Sequence, residues 1–484
     1  MKKFLIIFLY ILPAIIACSE NPEPDNGGGN PGTITSPDLA EQNIRRAMQL
    51  VDSAVPAHFS GEGMAMARYY NPYTNIRSEE KGSIWMYTSA IEAVNAVLHG
   101  LSAHREKGNR ELYDKNYARY TQLLKNLYEN AAYYSGTFTL TSYTQTRQWT
   151  VYGVNRGGSK GAANVEAREN VYDDQEWLIR EFFEAYRLTS DNVYLQQAEY
   201  LAEYVLDGWD CTRDNNGNEH GGITWGPAYA TKHSCSNGPL ISPLVWLAEY
   251  YKGKPDEITY RYIDPVDKRT RKTATAQKSD YYLDFAKKIY AWQKGCLLTA
   301  DGVYNDLIGG DNNLADKVEI IDGQPYRVYA PAQGSAGPPI SYNSGSMLSG
   351  AADLYRATGD NMYLEDAKKL SDASFKYFAK LGATLSGYYT YDINGFRNWF
   401  NGVLMRAYTD TYPSYKNVDT CIESFQRNLD YGYDHFFYKG FLPINLLVGW
   451  SRENNNNRIE GMFTFAFAAE YAVLAKYELE KTNK

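Results

Sequence analysis

Cysteine and histidine are scarce in this chain of 484 residues, at five and six, and no pair of them stands at the spacing of a metal site. The histidines, at 58, 99, 104, 220, 233 and 435, are scattered singly, so no structural metal is expected. Positive charge is in deficit. Lysine and arginine number 49 against 57 acidic residues, a net charge of -8. Such a surface disfavours nucleic acid and anionic membrane as partners and leaves a neutral polymer as the natural one. Long apolar runs are lacking too. The longest covers residues 4–16, and it falls short of the roughly 20 residues that a membrane span needs. Beyond residue 37 no Pro/Gly-rich seam divides the chain, so one large domain is expected over 38–484.

The apolar run at 4–16 follows Lys2 and Lys3 and ends in Ala17-Cys18, which reads as a signal peptide over residues 1–17. Ile15-Ile16-Ala17-Cys18 resembles a bacterial lipoprotein cleavage box, with Ile15 where Leu is usual. It implies that Cys18 is lipidated; a secreted protein with a chance cysteine is the competing reading. Residues 18–37 are rich in Pro, Gly, Asn and Ser with almost nothing to bury, and they read as a flexible tether. Its acids Glu20, Glu23 and Asp25 resemble the surface-export signals of lipoproteins in the Bacteroides group. The expected location is the outer membrane, on the cell surface or the periplasmic face, with membrane contact only through the lipid.

Amphipathic stretches of helical length follow one another at 38–55, 84–105, 111–133, 172–188, 191–207, 238–251, 279–295, 344–358, 360–379, 396–409, 416–430 and 459–480, with few convincing strands. One unit repeats. Thr189 to Leu201 matches Thr358 to Leu370, with an Asp in the turn and Tyr194, Leu195, Ala198 and Leu201 answering Tyr363, Leu364, Ala367 and Leu370. A weaker third copy starts at Ser279 and carries Tyr282, Leu283, Ala286 and Ile289. In each, an Asp N-cap should open a helix with one buried stripe. Such a hairpin cannot cover its own apolar face and must pack on neighbours. The expected fold is all-α, an (α/α)6 barrel of six helical hairpins, because the irregular spacing and long inserts suit a closed ring better than a solenoid. The inserts at 135–170, 208–237, 301–343 and 383–395 are aromatic and polar, as functional loops are.

The central feature is Asn170-Val171-Tyr172-Asp173-Asp174-Gln175-Glu176-Trp177, read as an Asn170 N-cap followed by the first helical turn. Acids are favoured there by the helix dipole alone, which is the competing explanation. The pair nevertheless follows a long loop and sits between aromatics. Neighbouring helical residues point about 100° apart, so one carboxylate can face an anomeric carbon while the other reaches the departing oxygen. Retaining glycosidases need carboxyls roughly 5–5.5 Å apart and inverting ones about 6.5–9.5 Å; adjacent residues suit the shorter distance. Like charges push one pKa up, while the helix N-terminus is expected to keep Asp173 ionised.

These residues, with three further segments, resemble glycoside hydrolase family 76, the endo-α-1,6-mannanases. Gly221-Gly222-Ile223-Thr224-Trp225 with Lys232 and Asn237-Gly238-Pro239 resembles the family's Gly-Gly-Ile-x-Trp loop and the helix start behind it; Ile340-Ser341-Tyr342-Asn343-Ser344-Gly345 and 396–408 resemble two more. His233-Ser234 stands where Asn-Ala is commoner, and Arg397 to Gly402 lengthens the family's Phe-Lys-Gly spacing. The resemblance implies Asp173 as nucleophile and Asp174 as acid/base. It implies that Tyr172, Trp177, Trp225, Lys232, Asn237, Tyr342 and Asn343 line or support a glycan cleft, with Asp306 a further candidate. Each has a plainer explanation: core packing for the aromatics, capping for Asn237, solvation for Lys232, turn formation for Asp306.

The implied activity is retaining endo-hydrolysis of α-1,6-mannosidic bonds in mannan, by a monomer without cofactor. Transglycosylation on the same glycans is one alternative. A non-catalytic glycan-binding lipoprotein is another, though it has no use for the Asp pair. Cys211 and Cys235 flank the Gly-Gly loop, and an oxidising envelope permits a disulfide between them. Two free thiols are the preferred expectation.

Overall fold

In the computed structural model, residues 36–309, 317–331 and 336–481 are described. The leader 1–17, Cys18 and the tether as far as residue 35 lie outside them. The end expected for the tether is corrected: Ser36 and Pro37 already belong to the first helix.

Among the described residues, twelve α-helices alternate between two layers. The inner six are α2 (Ile84–Glu106), α4 (Tyr172–Thr189), α6 (Gly238–Tyr251), α8 (Ser341–Thr358), α10 (Arg397–Thr411) and α12 (Gly461–Lys481). Each packs on the next, and α12 packs back on α2, so the ring closes. Outside lie α1 (Ser36–His58), α3 (Arg110–Ala131), α5 (Asn192–Asp207), α7 (Lys278–Leu297), α9 (Asn361–Phe378) and α11 (Asp419–Phe436). This is an (α/α)6 barrel. Burial explains the sorting. Helix α2 is buried nearly all round, with seventeen of its 23 residues inaccessible, whereas α9 buries only Tyr363, Ala367, Leu370, Ser371 and Ser374 on one stripe.

The repeated segment recurs in outer helices α5, α9 and α7, each laying its stripe on the ring inside. In α5 and α9 the turn works as the sequence suggests. Ser190 (φ 58°) and Gly359 (φ 70°) end the inner helix in the left-handed conformation, and Asp191 and Asp360 then accept the N–H of Val193 and Met362. The third copy is a correction. Helix α7 starts at Lys278 with Gln277 as its cap, so Asp280 falls inside the first turn.

The strands of the described residues form only small sheets of two or three. Two antiparallel hairpins of seven-residue strands stand at 135–141 with 146–152 and at 257–263 with 271–277. In the first, buried Gly136, Leu140, Trp149 and Val151 alternate with exposed Thr137, Thr139 and Thr150; in the second, Thr, Tyr and Arg leave most positions partly exposed. Only one face rests on the barrel, as the packing of Trp149 on Tyr200 and of Tyr260 on Tyr281 shows.

Alternation of layers sends every inner helix the same way. The described parts of the connections entering inner helices, 59–83, 132–171, 208–237, 298–309, 317–331, 336–340, 379–396 and 437–460, therefore gather at one mouth. Most of the returning turns are short. The mouth at the inner-helix N-termini thus carries nearly all the loop chain, and Asp173 and Asp174 lie there.

Candidate active site

Helix α4 begins at Tyr172 behind Val171, an extended residue without a side-chain cap, so the expected Asn170 cap is corrected. Asn170 is buried and donates instead to the carbonyl of Val165. Asp173 is the second helical residue, and its Oδ1 accepts the N–H of Asp174 at 3.0 Å. The helix start is tied to the Gly-Gly loop by the Tyr172 N–H, which donates to the Trp225 carbonyl at 2.8 Å.

That loop is built to hold one shape. Gly221 and Gly222 take φ of 72° and 77°, and a Cβ on Gly222 would come within 2.4 Å of the Trp292 ring. Asp210 and Lys232 form a buried ion pair at 2.7 Å, and the Lys232 ammonium also donates to the Gly221 carbonyl. Asn237, wholly buried, accepts from the Ile223 N–H at 2.8 Å and donates to the carbonyls of Ile223 and His233 at 2.9 and 2.7 Å. Lys232 and Asn237 were expected at the substrate. Their polar atoms are spent within the loop, on the Asp210 carboxylate and on backbone groups, so both support the cleft, and Asn237 stands before α6 without a side-chain capping bond. Tyr172 is a second correction. One helical step from Asp173 turns its ring outward, under Tyr204 and against Gly208.

Other expected residues do gather at the pair. Trp225 is half-buried, with its ring stacked on His233 at 4.8 Å. Burial pushes the His233 imidazole down to about 4, so Trp225 rests on a neutral ring. Trp177 donates from its indole nitrogen to the Tyr342 hydroxyl at 2.7 Å, forming the floor with Trp399. Asp306 and Asn343 stand together on the facing side. The Asp306 carboxyl is raised by burial against the opposing pull of Asn343 and Arg397. Its backbone joins the Gly-Gly loop region through Ser234 N–H at 2.8 Å.

The electrostatics differ from the expectation at one point. Burial lifts the Asp173 carboxyl to about 6, even though the Cys235 thiol, the Trp225 indole and the Asp174 N–H all favour its ionised form. Desolvation therefore outweighs the helix N-terminus. Asp174 is raised well above the ordinary range, by burial first and then by the charge of Asp173, so Asp173 ionises first. Sequence reasoning missed Glu176. It is fully buried, neither carboxyl oxygen has a hydrogen-bond partner, and burial and Asp173 hold it protonated. Its spacing of i+3 from Asp173, visible in the sequence, was the available signal. Cys235 was also missed as a neighbour of Asp173. It and Cys211 are free thiols, so no disulfide joins them.

A cavity of about 620 Å³ opens at the opposite mouth. Its charged side chains satisfy one another, Glu92 with Arg406, His99 and Arg187 with Glu184, Asp353 with Arg356, which leaves little for a ligand to gain. The Asp pair, not this cavity, carries unbalanced acids.

A model of glycosyl hydrolase family 76 matches residues 272–429. Among curated proteins, a mannan endo-1,6-alpha-mannosidase of Saccharomyces cerevisiae is 25% identical over 183 residues, covering 37% of this chain and 32% of its own length. One of Candida albicans is 22% identical over 237 residues, covering 49% and 41%. Each match thus spans less than half of the curated relative. Solved structures match across the barrel. A family 76 glycoside hydrolase (mannosidase) of Bacteroides thetaiotaomicron has a TM-score of 0.64 at 19% identity, over 92% of this chain and 100% of that one. An inactive variant of a Salegentibacter α-1,6-mannanase, with two adjacent aspartates changed to asparagine and α-1,6-mannotriose bound, has a TM-score of 0.55 at 19% identity, over 90% and 99%. The family model lies from the hairpin before α7 to α11 and the solved structures share the barrel over its length, so the chain is similar to glycosyl hydrolase family 76 in that segment and in fold.

Proposed function

We propose that the protein hydrolyses α-1,6-mannosidic bonds within mannan backbones and retains the anomeric configuration. The observation that carries this reading is the pair of adjacent carboxyls at the head of α4, one ionising near 6 and its neighbour well above. The names of the curated relatives and the paired substitution in the Salegentibacter mannanase support it. In the first step the Asp173 carboxylate attacks the anomeric carbon as the glycosidic bond breaks, and the Asp174 proton passes to the leaving oxygen. In the second, Asp174 takes a proton from water, whose oxygen displaces Asp173. Trp225, Asp306 and Asn343 surround the reacting sugar, the ring by stacking and the polar groups by binding hydroxyls.

The test is incubation with debranched yeast α-mannan, following products by chromatography and anomeric configuration by NMR. Short oligosaccharides of retained configuration are expected, with a bell-shaped kcat/KM whose acid limb lies near pH 6 and reports the pair rather than either residue alone. Asp173→Asn should abolish turnover and leave oligosaccharide binding. Inverted products would refute the nucleophile, and no release from mannan would refute the activity. We further propose a monomer held at the outer membrane by lipidated Cys18. Cys18→Ala should then move the protein to the soluble fraction at unchanged specific activity.

A further inference from the structure

Under the floor of the cleft one acid reaches across the barrel. Glu92 stands on α2, and its two carboxylate oxygens take different partners on α10: Oε2 accepts the Trp399 indole N–H at 2.9 Å, and Oε1 pairs with the Arg406 guanidinium. In the ring α12 separates α2 from α10, so this bridge skips a helix. Local sequence allows it. Trp399 and Arg406 lie about two helical turns apart and share a face of α10, while α12 presents only Ala466 and Ala469 to the crevice between them and Glu92. All three partners are buried, Glu92 at 6%, Arg406 at 8% and Trp399 at 3%. A buried charge or donor left without its partner is strongly unfavourable, which ties the bridge to this one geometry.

One side of the bridge meets the rings that carry the Asp pair. Trp399 lies edge-on to Trp177 at 4.7 Å and against Tyr342 at 5.5 Å, and the Arg406 guanidinium is 5.8 Å from the Trp177 ring. Trp177 sits one helical turn after Asp173 on α4 and holds the Tyr342 hydroxyl through its N–H. Burial, then Cys235 and Asp173, keep that hydroxyl protonated, which places it in the field of the nucleophile. On the other side Glu92 and Arg406 line the cavity of the opposite mouth. Glu92 thus supports the floor from the side away from the acids.

We infer that Glu92 is a positioning residue for the proposed hydrolysis: fixed by Arg406, it holds the Trp399 indole and thereby sets where Trp177 and Tyr342 carry the head of α4 and its nucleophile. This rests on the reading of Asp173 and Asp174 as the reacting pair. Glu92 acts as a hydrogen-bond acceptor for Trp399 and takes no part in proton transfer. Helix α2 contributes no acid to the pair, yet through Glu92 it governs how the pair is placed.

Three variants separate positioning from mere stability. Glu92→Leu removes the acceptor, Glu92→Gln keeps one in its amide oxygen, and Trp399→Phe removes the donor while keeping a ring and the ion pair. On debranched yeast α-mannan, Glu92→Leu and Trp399→Phe should each lower kcat about tenfold or more with KM little changed, because Trp225, Asp306 and Asn343 stay around the sugar while the nucleophile shifts. Glu92→Gln should recover most of that loss. Glu92→Leu combined with Trp399→Phe should lose no more than either alone, since both break one contact. Nuclear magnetic resonance of labelled indole nitrogens adds a readout independent of turnover. The Trp177 N–H resonance, identified by its absence from Trp177→Phe, should move in Glu92→Leu and in Trp399→Phe and return in Glu92→Gln. An unmoved Trp177 resonance, unchanged kcat, additive losses in the double variant, or a Gln variant as poor as the Leu one overturns the inference. Should Glu92→Leu fail to fold, Trp399→Phe and Glu92→Gln carry both tests. No turnover by the unsubstituted protein refutes the hydrolase reading alone, because the Trp177 resonance still reports whether Glu92 holds the floor.

Discussion

Replacing Asn237 with alanine tests whether this residue serves the loop or the ligand. The amide makes three hydrogen bonds in a fully buried position: one from the Ile223 N–H and two to the carbonyls of Ile223 and His233. Both carbonyls also accept from the Ser236 hydroxyl at 3.2 Å, so the substitution leaves them partly satisfied. The Ile223 N–H is orphaned. A buried donor without a partner costs about 1–3 kcal/mol, and each weakened carbonyl adds about 0.5–1 kcal/mol, giving a loss of roughly 3 kcal/mol. Asn237→Asp should lose at least as much, because its second oxygen faces two carbonyls. Urea unfolding reads the loss as a lower midpoint at unchanged slope. Since Ile223 is two residues from Trp225, and the Trp225 carbonyl anchors α4, activity should fall with stability. An unchanged midpoint with a raised KM would refute the reasoning and make Asn237 a direct sugar ligand.

Glu176→Gln should keep kcat within a few-fold, because Glu176 has no partner for a charge and acts as a neutral group beside Asp173; a hundredfold loss, read by steady-state kinetics, would mean that its ionised form is needed. Glu470 tests the stability side. Burial, opposed only by Arg406, raises its carboxyl to about 8. A raised acid contributes stability that is whole below its unfolded pKa, near 4.5, and is lost as pH rises through 8. Glu470→Gln should therefore gain on the unsubstituted protein in melting temperature between pH 5 and pH 8; a difference flat with pH would remove Glu470 from that window.

Much of the architecture was legible along the chain. The 3.6-residue periodicity located twelve helices, all-round against one-sided apolar patterning separates α2 from α9, and the Asp in two of the repeated turns caps as its type suggests. Short turns at one end and long loops at the other also follow from spacing, and so does the position of Asp173 and Asp174 in a first turn. These features are local, set by propensity and by which stripe of a helix must leave water. The direction of each side chain and the state of each charge are not local. Tyr172 and Asp173 are neighbours in sequence, yet one packs under Tyr204 and the other faces the mouth. Lys232 could have been a solvated cation until the fold set Asp210 against it, 22 residues earlier in the chain. The helix N-terminus alone argued for a low pKa at Asp173; only the surrounding protein, by removing water, raised it. Glu92 and Trp177 both meet Trp399 because ring closure brings α2, α4 and α10 around one axis. Burial and proximity across the chain are properties of the packed barrel, and they decide which polar residues bind, which brace and which stay protonated.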